Sequence, residues 1–195
     1  MRASLSAALA PALALAFAGA WLLSPAPALA ANWIVDKAHS RLGFQSAYGP
    51  AKFTGTFGGW SAQIAFDPQA LATSKATVSI DLTSAMTGDD DRDQSLPSAD
   101  WFNTGKFPKA TFTTTAIKAA GPDRYQAAGV LSLKGASRPV TLTFTLKITG
   151  KQAVMAGQAV IDRTQWAVGQ GQFQGEQPVP HAVTVDIRLT ANRAG

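Results

Sequence analysis

This sequence predicts an all-β fold: a closed antiparallel β-barrel of about eight strands with one or two short helices. Three observations point there. Apolar and polar residues alternate through about eight or nine runs joined by short clusters of Gly, Pro, Asp and Ser. A single stretch, Thr87 to Thr115, breaks that rhythm with acids, prolines and aromatics. The runs are also long and continuous, and closing them into a barrel removes the unpaired edges that an immunoglobulin-like sandwich would leave.

The N-terminus is set apart from this pattern. Met1-Arg2 leads into a mostly apolar run from Leu5 to Leu23, followed by Ser24-Pro25-Ala26-Pro27-Ala28-Leu29-Ala30. Ala28 and Ala30 make the A-x-A site of a secretory signal peptide, so residues 1–30 are expected to be removed and 31–195 to form one domain. Export to the periplasm by the general secretory route is the matching expectation, since no twin-arginine pair and no lipidation cysteine is present. Nothing after residue 30 is long and apolar enough to span a bilayer. The chain has no cysteine, so an exported domain of this length must hold together by burial. The formal net charge is +5, from 17 basic and 12 acidic residues scattered without a run of one sign. That pattern argues against a nucleic-acid partner and allows at most mild attraction to an anionic membrane.

Trp33 to Asp36 opens the domain, and Leu42 and Phe44 follow at strand spacing after Lys37-Ala38-His39-Ser40. Phe53 and Phe57 alternate with threonines up to Gly58-Gly59, and Trp60, Ala62, Ile64 and Phe66 alternate beyond it, which reads as a hairpin. Val78, Ile80 and Leu82 mark the next strand. After the irregular stretch come a threonine-rich strand from Ala110 to Ile117 and another from Tyr125 to Leu133. Val140, Leu142, Phe144, Leu146 and Ile148 then form the cleanest amphipathic strand, ahead of Val154 to Ile161. A second irregular segment, Asp162 to Pro180, precedes the last strand, where Val183, Val185, Ile187 and Leu189 share one face.

Within the irregular stretch, Asp89, Asp90 and Asp91 place negative charge where a helix starting after Thr87-Gly88 has unpaired N–H groups, and Pro97 ends that helix. A second turn begins at Ser98 and carries Trp101 and Phe102, two large aromatics that must pack against something. The open end of the barrel is the natural surface, which makes this segment a lid.

Asp36, His39 and Ser40 are close enough to imitate a hydrolytic triad, and an esterase or lipid isomerase built on them is the alternative function. No G-x-S-x-G is present, however, and a turn whose side chains tie down backbone is the favoured reading, with no catalytic residue expected. Metal binding is not expected either. There are two histidines and no cysteine, and the weak calcium-loop likeness of Asp89, Asp91, Asp93 and Asp100 has Gln94 where the turn needs glycine. Gly169 to Gly175 misses the dinucleotide spacing and reads as a flexible loop.

What remains is an interior lined by apolar residues of mixed size. The candidate ligand-binding residues are Phe44, Phe53 and Phe57 from the first strands, then Val78, Ile80 and Phe112. Leu142, Phe144 and Leu146 join them from the amphipathic strand, and Trp101 and Phe102 from the lid. A barrel of this size either fills its interior or holds one elongated apolar ligand, and alternation alone leaves both open.

Several short motifs recur in a set order. They are Trp33-x-x-Asp36-x-x-His39-Ser40-x-x-x-Phe44, Phe53-x-Gly55-x-Phe57, Ile64-x-Phe66-Asp67-Pro68, Arg92-Asp93, Asp100-Trp101-Phe102, Phe107-Pro108-x-Ala110-x-Phe112, Gly129-x-Leu131-x-Leu133-x-Gly135 and Arg163-x-x-Trp166. In that order, over residues 33 to 191, they resemble the YceI-like family of exported lipid-binding proteins. The resemblance implies a lipocalin-like barrel enclosing a polyisoprenoid chain, without catalytic residues or a resident cofactor. Fusion of such domains to b-type membrane cytochromes in some relatives points to an isoprenoid quinone as ligand. It also makes transient contact with a membrane surface or membrane cytochrome an expected partnership, and an accessory role beside a membrane cytochrome or in a stress system a further alternative. Monomer and homodimer are both compatible with these features. Two departures bear on the head group: this chain has Ser46-Ala47-Tyr48-Gly49 where many members carry a second histidine, and Pro97 where many carry a basic residue.

Overall fold

The structure, a computed structural model, describes residues 30–195. The segment expected as a signal peptide lies outside the described residues except for Ala30. In chain order the strands are β1 (Asn32–Tyr48), β2 (Ala51–Phe57), β3 (Trp60–Ala65), β4 (Lys75–Asp81) and β5 (Ala85–Met86). After a short helix α1 (Asp90–Ser95) come β6 (Lys109–Gly121), β7 (Arg124–Leu133), β8 (Ala136–Thr149), β9 (Gln152–Asp162) and β10 (Ala182–Arg193).

All pairings are antiparallel, and β10 pairs back onto β1 to close the sheet. The barrel has eight staves, because β2 and β3 are successive pieces of a single broken stave. β2 runs along Leu42 to Tyr48 of β1, while β3 reaches Asn32 and Trp33 of the same strand. The hairpin expected at Gly58-Gly59 is therefore not formed. The glycine pair is instead a bend that grips the 3-10 turn Leu82–Ser84: Gly58 N donates to Ser84 O at 3.2 Å and Gly59 N to Ser84 Oγ at 2.8 Å. Asp81 N donates to Gly59 O at 2.7 Å. With both of its N–H groups and the Gly59 carbonyl engaged by this turn, the bend does not set up a hairpin ladder between β2 and β3.

Two register shifts decide which side chains face inward. Between Asp36 and Arg41, β1 carries five steps against two on β10, so the inward set changes from Trp33 and Val35 to Leu42, Phe44, Ser46 and Tyr48. Ser40 stitches this bulge, its hydroxyl donating to Thr190 O at 3.3 Å and accepting from Thr190 N at 3.0 Å. A second shift between Thr114 and Ala116 in β6 turns Ile117 inward.

The buried side chains form two groups. One, around Trp33, Phe66, Ile117, Ala127, Phe144 and Leu189, plugs one end of the barrel. The other, around Leu82, Leu96, Phe102, Leu133, Trp166 and Val168, roofs the opposite end beneath α1 and the two irregular segments. The interior between them is not filled.

Candidate functional site

Beneath the roof lies an apolar cavity of about 540 Å³. Nine of the eleven sequence-predicted ligand residues border it: Phe44, Phe53, Phe57, Val78, Ile80, Trp101, Phe102, Phe112 and Leu142. Phe144 and Leu146 do not. They border a smaller space of about 130 Å³ at the plugged end, together with Trp33, Trp60 and Phe66. Leu42, Val78, Phe112, Leu142 and Ile187 border both spaces.

The walls stay thin because large inward rings lie across inward glycines on the neighbouring strand. Phe44 is paired with Gly55, and a Cβ on that glycine would fall inside the Phe44 ring. A Cβ on Gly129 would come 2.5 Å from Cζ of Phe112, and one on Gly157 would come 2.8 Å from Cβ of Phe144. The Phe44 and Phe112 rings are thus laid flat on backbone rather than raised into the lumen.

Polar groups gather at one edge of the large cavity. Ser46 stands opposite Phe53 in the β1–β2 pair, and the Arg92 guanidinium sits 4.5 Å above the Phe53 ring. Arg92 Nη2 lies 3.3 Å from Asp89 Oδ2, and its Nε donates to Thr87 Oγ1 at 3.3 Å. Asp89 caps α1 by accepting from Arg92 N at 3.1 Å, as the acidic run predicts. Asp93 accepts from Thr87 N, Thr87 Oγ1 and Gly88 N at 2.7, 2.7 and 3.1 Å. Burial works to raise the Asp93 pKa, but these three bonds and Arg92 outweigh it, leaving the carboxyl below the usual carboxylate range. Tyr48, Asp91 and Ser95 complete this border. The Ser46 hydroxyl is buried in the wall without a hydrogen-bond partner.

The roof is held by groups that alternation cannot reveal. Arg163 is 2% exposed, and its guanidinium donates to six backbone carbonyl oxygens, those of Val168, Gly169, Phe173, Gly175, Val179 and Pro180. Burial lowers its pKa, opposed by the Asp162 and Glu176 carboxylates. Gly169 has φ +77°, and any Cβ there would collide with Arg163 Nη1, so the loop requires glycine. The run Gly169 to Gly175, expected as a flexible loop, is in fact wound around this arginine. Lys134 joins both roof segments, its Nζ donating to Ala99 O at 2.8 Å and Ala167 O at 2.6 Å. Asp100 O accepts from Gly169 N and Gln170 N, and Trp101 packs on Phe173 with centroids 5.1 Å apart. Phe102 is buried while Trp101 is half-buried.

Sequence reasoning did not select the inward residues Leu42, Val140, Ile161, Val183, Val185 and Ile187 as site residues, although they border the large cavity. The alternation that identifies β8 and β10 carries the signal for Val140 and the β10 trio. Arg163 has a fainter signal: a Gly- and Pro-rich segment of irregular backbone leaves many carbonyls in need of donors. Asp36 and His39 do form a pair, with His39 Nδ1 2.8 Å from Asp36 Oδ2 on the exposed face, where the hydrogen bond to His39 lowers the Asp36 pKa. The Ser40 hydroxyl is turned to Thr190 instead. Among the described residues no cluster of three or more His, Cys, Asp or Glu is placed to hold a metal ion.

The model of the YceI-like domain matches residues 33–191. A UPF0312 protein of Photorhabdus laumondii is 39% identical over 137 residues, covering 69% of this chain and 71% of its own. Protein YceI of Escherichia coli O6:H1 is 38% identical over 124 residues, covering 62% of this chain and 64% of its own. Among solved structures, BcnA of Burkholderia cenocepacia superposes with a TM-score of 0.78 at 31% identity, over 82% of this chain and all of that one. A polyisoprenoid binding domain from Saccharophagus degradans, implicated in plant cell wall breakdown, shares the fold with a TM-score of 0.64 at 19% identity, over 86% of this chain and all of that one. None of these relatives bears the name of an enzyme.

Proposed function

This chain belongs to the YceI-like family, and from that premise we propose that it is an exported binding or carrier protein for a polyisoprenoid lipid or an isoprenoid quinone, held with its hydrocarbon tail inside the barrel. The single observation that carries the proposal is the 540 Å³ cavity, walled by aromatic and aliphatic side chains and polar along one edge. Its size is that of a ligand pocket. An apolar tail gains free energy along the whole wall, whereas a polar head is accommodated beside Ser46, Thr87 and Arg92. A barrel of the same fold named for polyisoprenoid binding supports the reading.

The cargo reading needs no resident cofactor and no chemistry from Asp36, His39 or Ser40. Export fits it, with cleavage after Ala30 and residence in the periplasm, where a lipid passing between membranes requires cover from water. A membrane surface or membrane cytochrome is then the donor or acceptor of the ligand.

The test is mass spectrometry of organic extracts from protein purified out of its native compartment, with prenyl lipids added back in solution. Co-purifying or reloaded isoprenoid is the expected result. Barrels that are repeatedly empty and also refuse added prenyl lipid would overturn the proposal. His39→Gln separates it from an esterase or isomerase: a carrier keeps ligand uptake, whereas a general base at this position would lose turnover by orders of magnitude.

A further inference from the structure

The two interior spaces and the glycines in the wall point to a feature beyond lipid binding as such. The smaller space lies at the plugged end of the barrel, where the pattern of large and small inward residues closes it. Trp33 fixes its indole by donating from Nε1 to Phe66 O at 2.9 Å, and Lys37 lies 3.3 Å over the Trp60 ring. Trp33, Trp60 and Phe66 border the small space and not the large one. On the side of the large cavity the boundary is different: five side chains, Leu42, Val78, Phe112, Leu142 and Ile187, belong to both spaces.

The width at this waist is set by two strands that contribute no inward side chain there. Gly157 on β9 is paired with Ile187 of β10, and Gly129 on β7 lies under the Phe112 ring. With alanine at 129, the new Cβ would meet Phe112 and the Thr113 carbonyl, at 2.5 and 2.6 Å. The Phe112 ring can yield only by lifting from the wall into the waist, while the clash with the Thr113 carbonyl strains the β6–β7 ladder itself, so this variant narrows the waist at some cost in stability. An apolar space of this size stays dry and accepts hydrocarbon, and a folded core without such a role is packed full.

We propose that the waist is a chain-length gauge: the far end of an isoprenoid tail passes it and stops against Trp33, Trp60 and Phe66, and Gly129 keeps it open by letting Phe112 lie flat. The proposal rests on the carrier reading above and adds a selectivity to it. The protein then favours prenyl tails long enough to fill both spaces over tails that end in the large one. Tails longer than both must leave their excess at the polar edge, so affinity stops rising with length.

The experiment titrates geraniol, farnesol, geranylgeraniol and solanesol into the full barrel domain, following the fluorescence of its tryptophans, with calorimetry as a second measure. Wild-type protein is compared with Gly129→Ala, which narrows the waist, and with Ala62→Phe and Ala76→Leu, which fill the small space from two different strands. Melting curves establish that each variant is folded, and having two filling variants covers the failure of one. The expected result is an affinity that climbs with tail length and then levels. In the variants this climb is truncated, with a loss of about tenfold or more for the longer alcohols and little for geraniol. An equal loss at every length, or no loss for the longer alcohols in folded variants, would overturn the gauge while leaving the carrier reading intact. Failure of every alcohol to bind wild-type protein would remove both.

Discussion

Nη2 of Arg163 donates to the carbonyl oxygen of Val179 at 2.7 Å, the shortest link but one in a set of six that ties the roof to the end of β9. The charge is spread over a planar fork whose N–H groups all point at backbone, a geometry that lysine cannot reproduce.

Arg163→Met should therefore destabilise the protein by about 3 kcal/mol or more, since each buried carbonyl left without a donor costs about 1–3 kcal/mol and part of the segment regains water. Arg163→Lys should recover only part of the loss. Urea unfolding of the three proteins measures this, and a loss under about 1 kcal/mol for Met would mean the roof has other support.

Trp101 and Phe102 lie in the roof with one face toward the cavity. Replacing both with Ser should speed ligand exit more than it changes entry, because lost contacts act mainly on dissociation. Displacement kinetics with a prenyl alcohol give the rates. Unchanged dissociation would place the route elsewhere, for instance past Tyr48 and Ser95.

Phe144 tests the plugged end. Its ring stacks on Tyr125 at 5.3 Å between centroids and meets Phe66 edge-on at 6.4 Å. Phe144→Ala should cost about 3–5 kcal/mol, toward the lower figure in lipid-free protein because the ring already borders open space. The stability gained on adding prenyl lipid should shrink as well, by loss of contacts made only in the bound form. Thermal melts with and without lipid decide this, equal shifts in both being the contrary outcome.

Asp93 gives α1 an acid-sensitive anchor. A folded pKa below the ordinary value makes its stabilisation complete at neutral pH and down to the unfolded pKa, then progressively lost as pH falls through the folded value, in a window from about pH 4 downward. The amide resonances of Thr87 and Gly88 should titrate together in that window, and Asp93→Asn should abolish the shared transition. Independent titrations would mean that the three hydrogen bonds do not act as a unit.

The sequence made the staves legible because a half-buried strand writes its two faces in alternation, as in Val140 to Ile148. Phe44, Phe112 and Leu142 could be named as inward-facing on that ground alone, but whether the interior they face is filled or open could not be read from it. The same rule could not place the hairpin correctly: Gly58-Gly59 looks the same in a turn and in a bend, and the choice is made by Ser84, far along the chain. Nor could it separate Phe144 from Phe112, since both point inward and differ only in height along the barrel. Arg163 was hidden for another reason. A lone cation after a strand ordinarily faces water, and its burial depends on carbonyls from residues that have no periodicity to read.

The closure of the barrel by β1 on β10 ties the two ends of the domain together, with Trp33 opposite Arg193 and Ala194 N donating to Asn32 O at 2.9 Å. On the ribosome, or in any passage of the chain from one end to the other, the first strand must wait for the last. Until Ala182 to Arg193 arrives, β1 has only β2 and β3 beside it and the free edges of β1 and β9 stay exposed, so the interval before completion is when the chain is most open to mispairing. The same adjacency makes a rearranged gene workable: joining Arg193 to Asn32 through a short linker and opening the chain at the Gly150-Lys151 tip would keep every stave in place while changing which strand is made last.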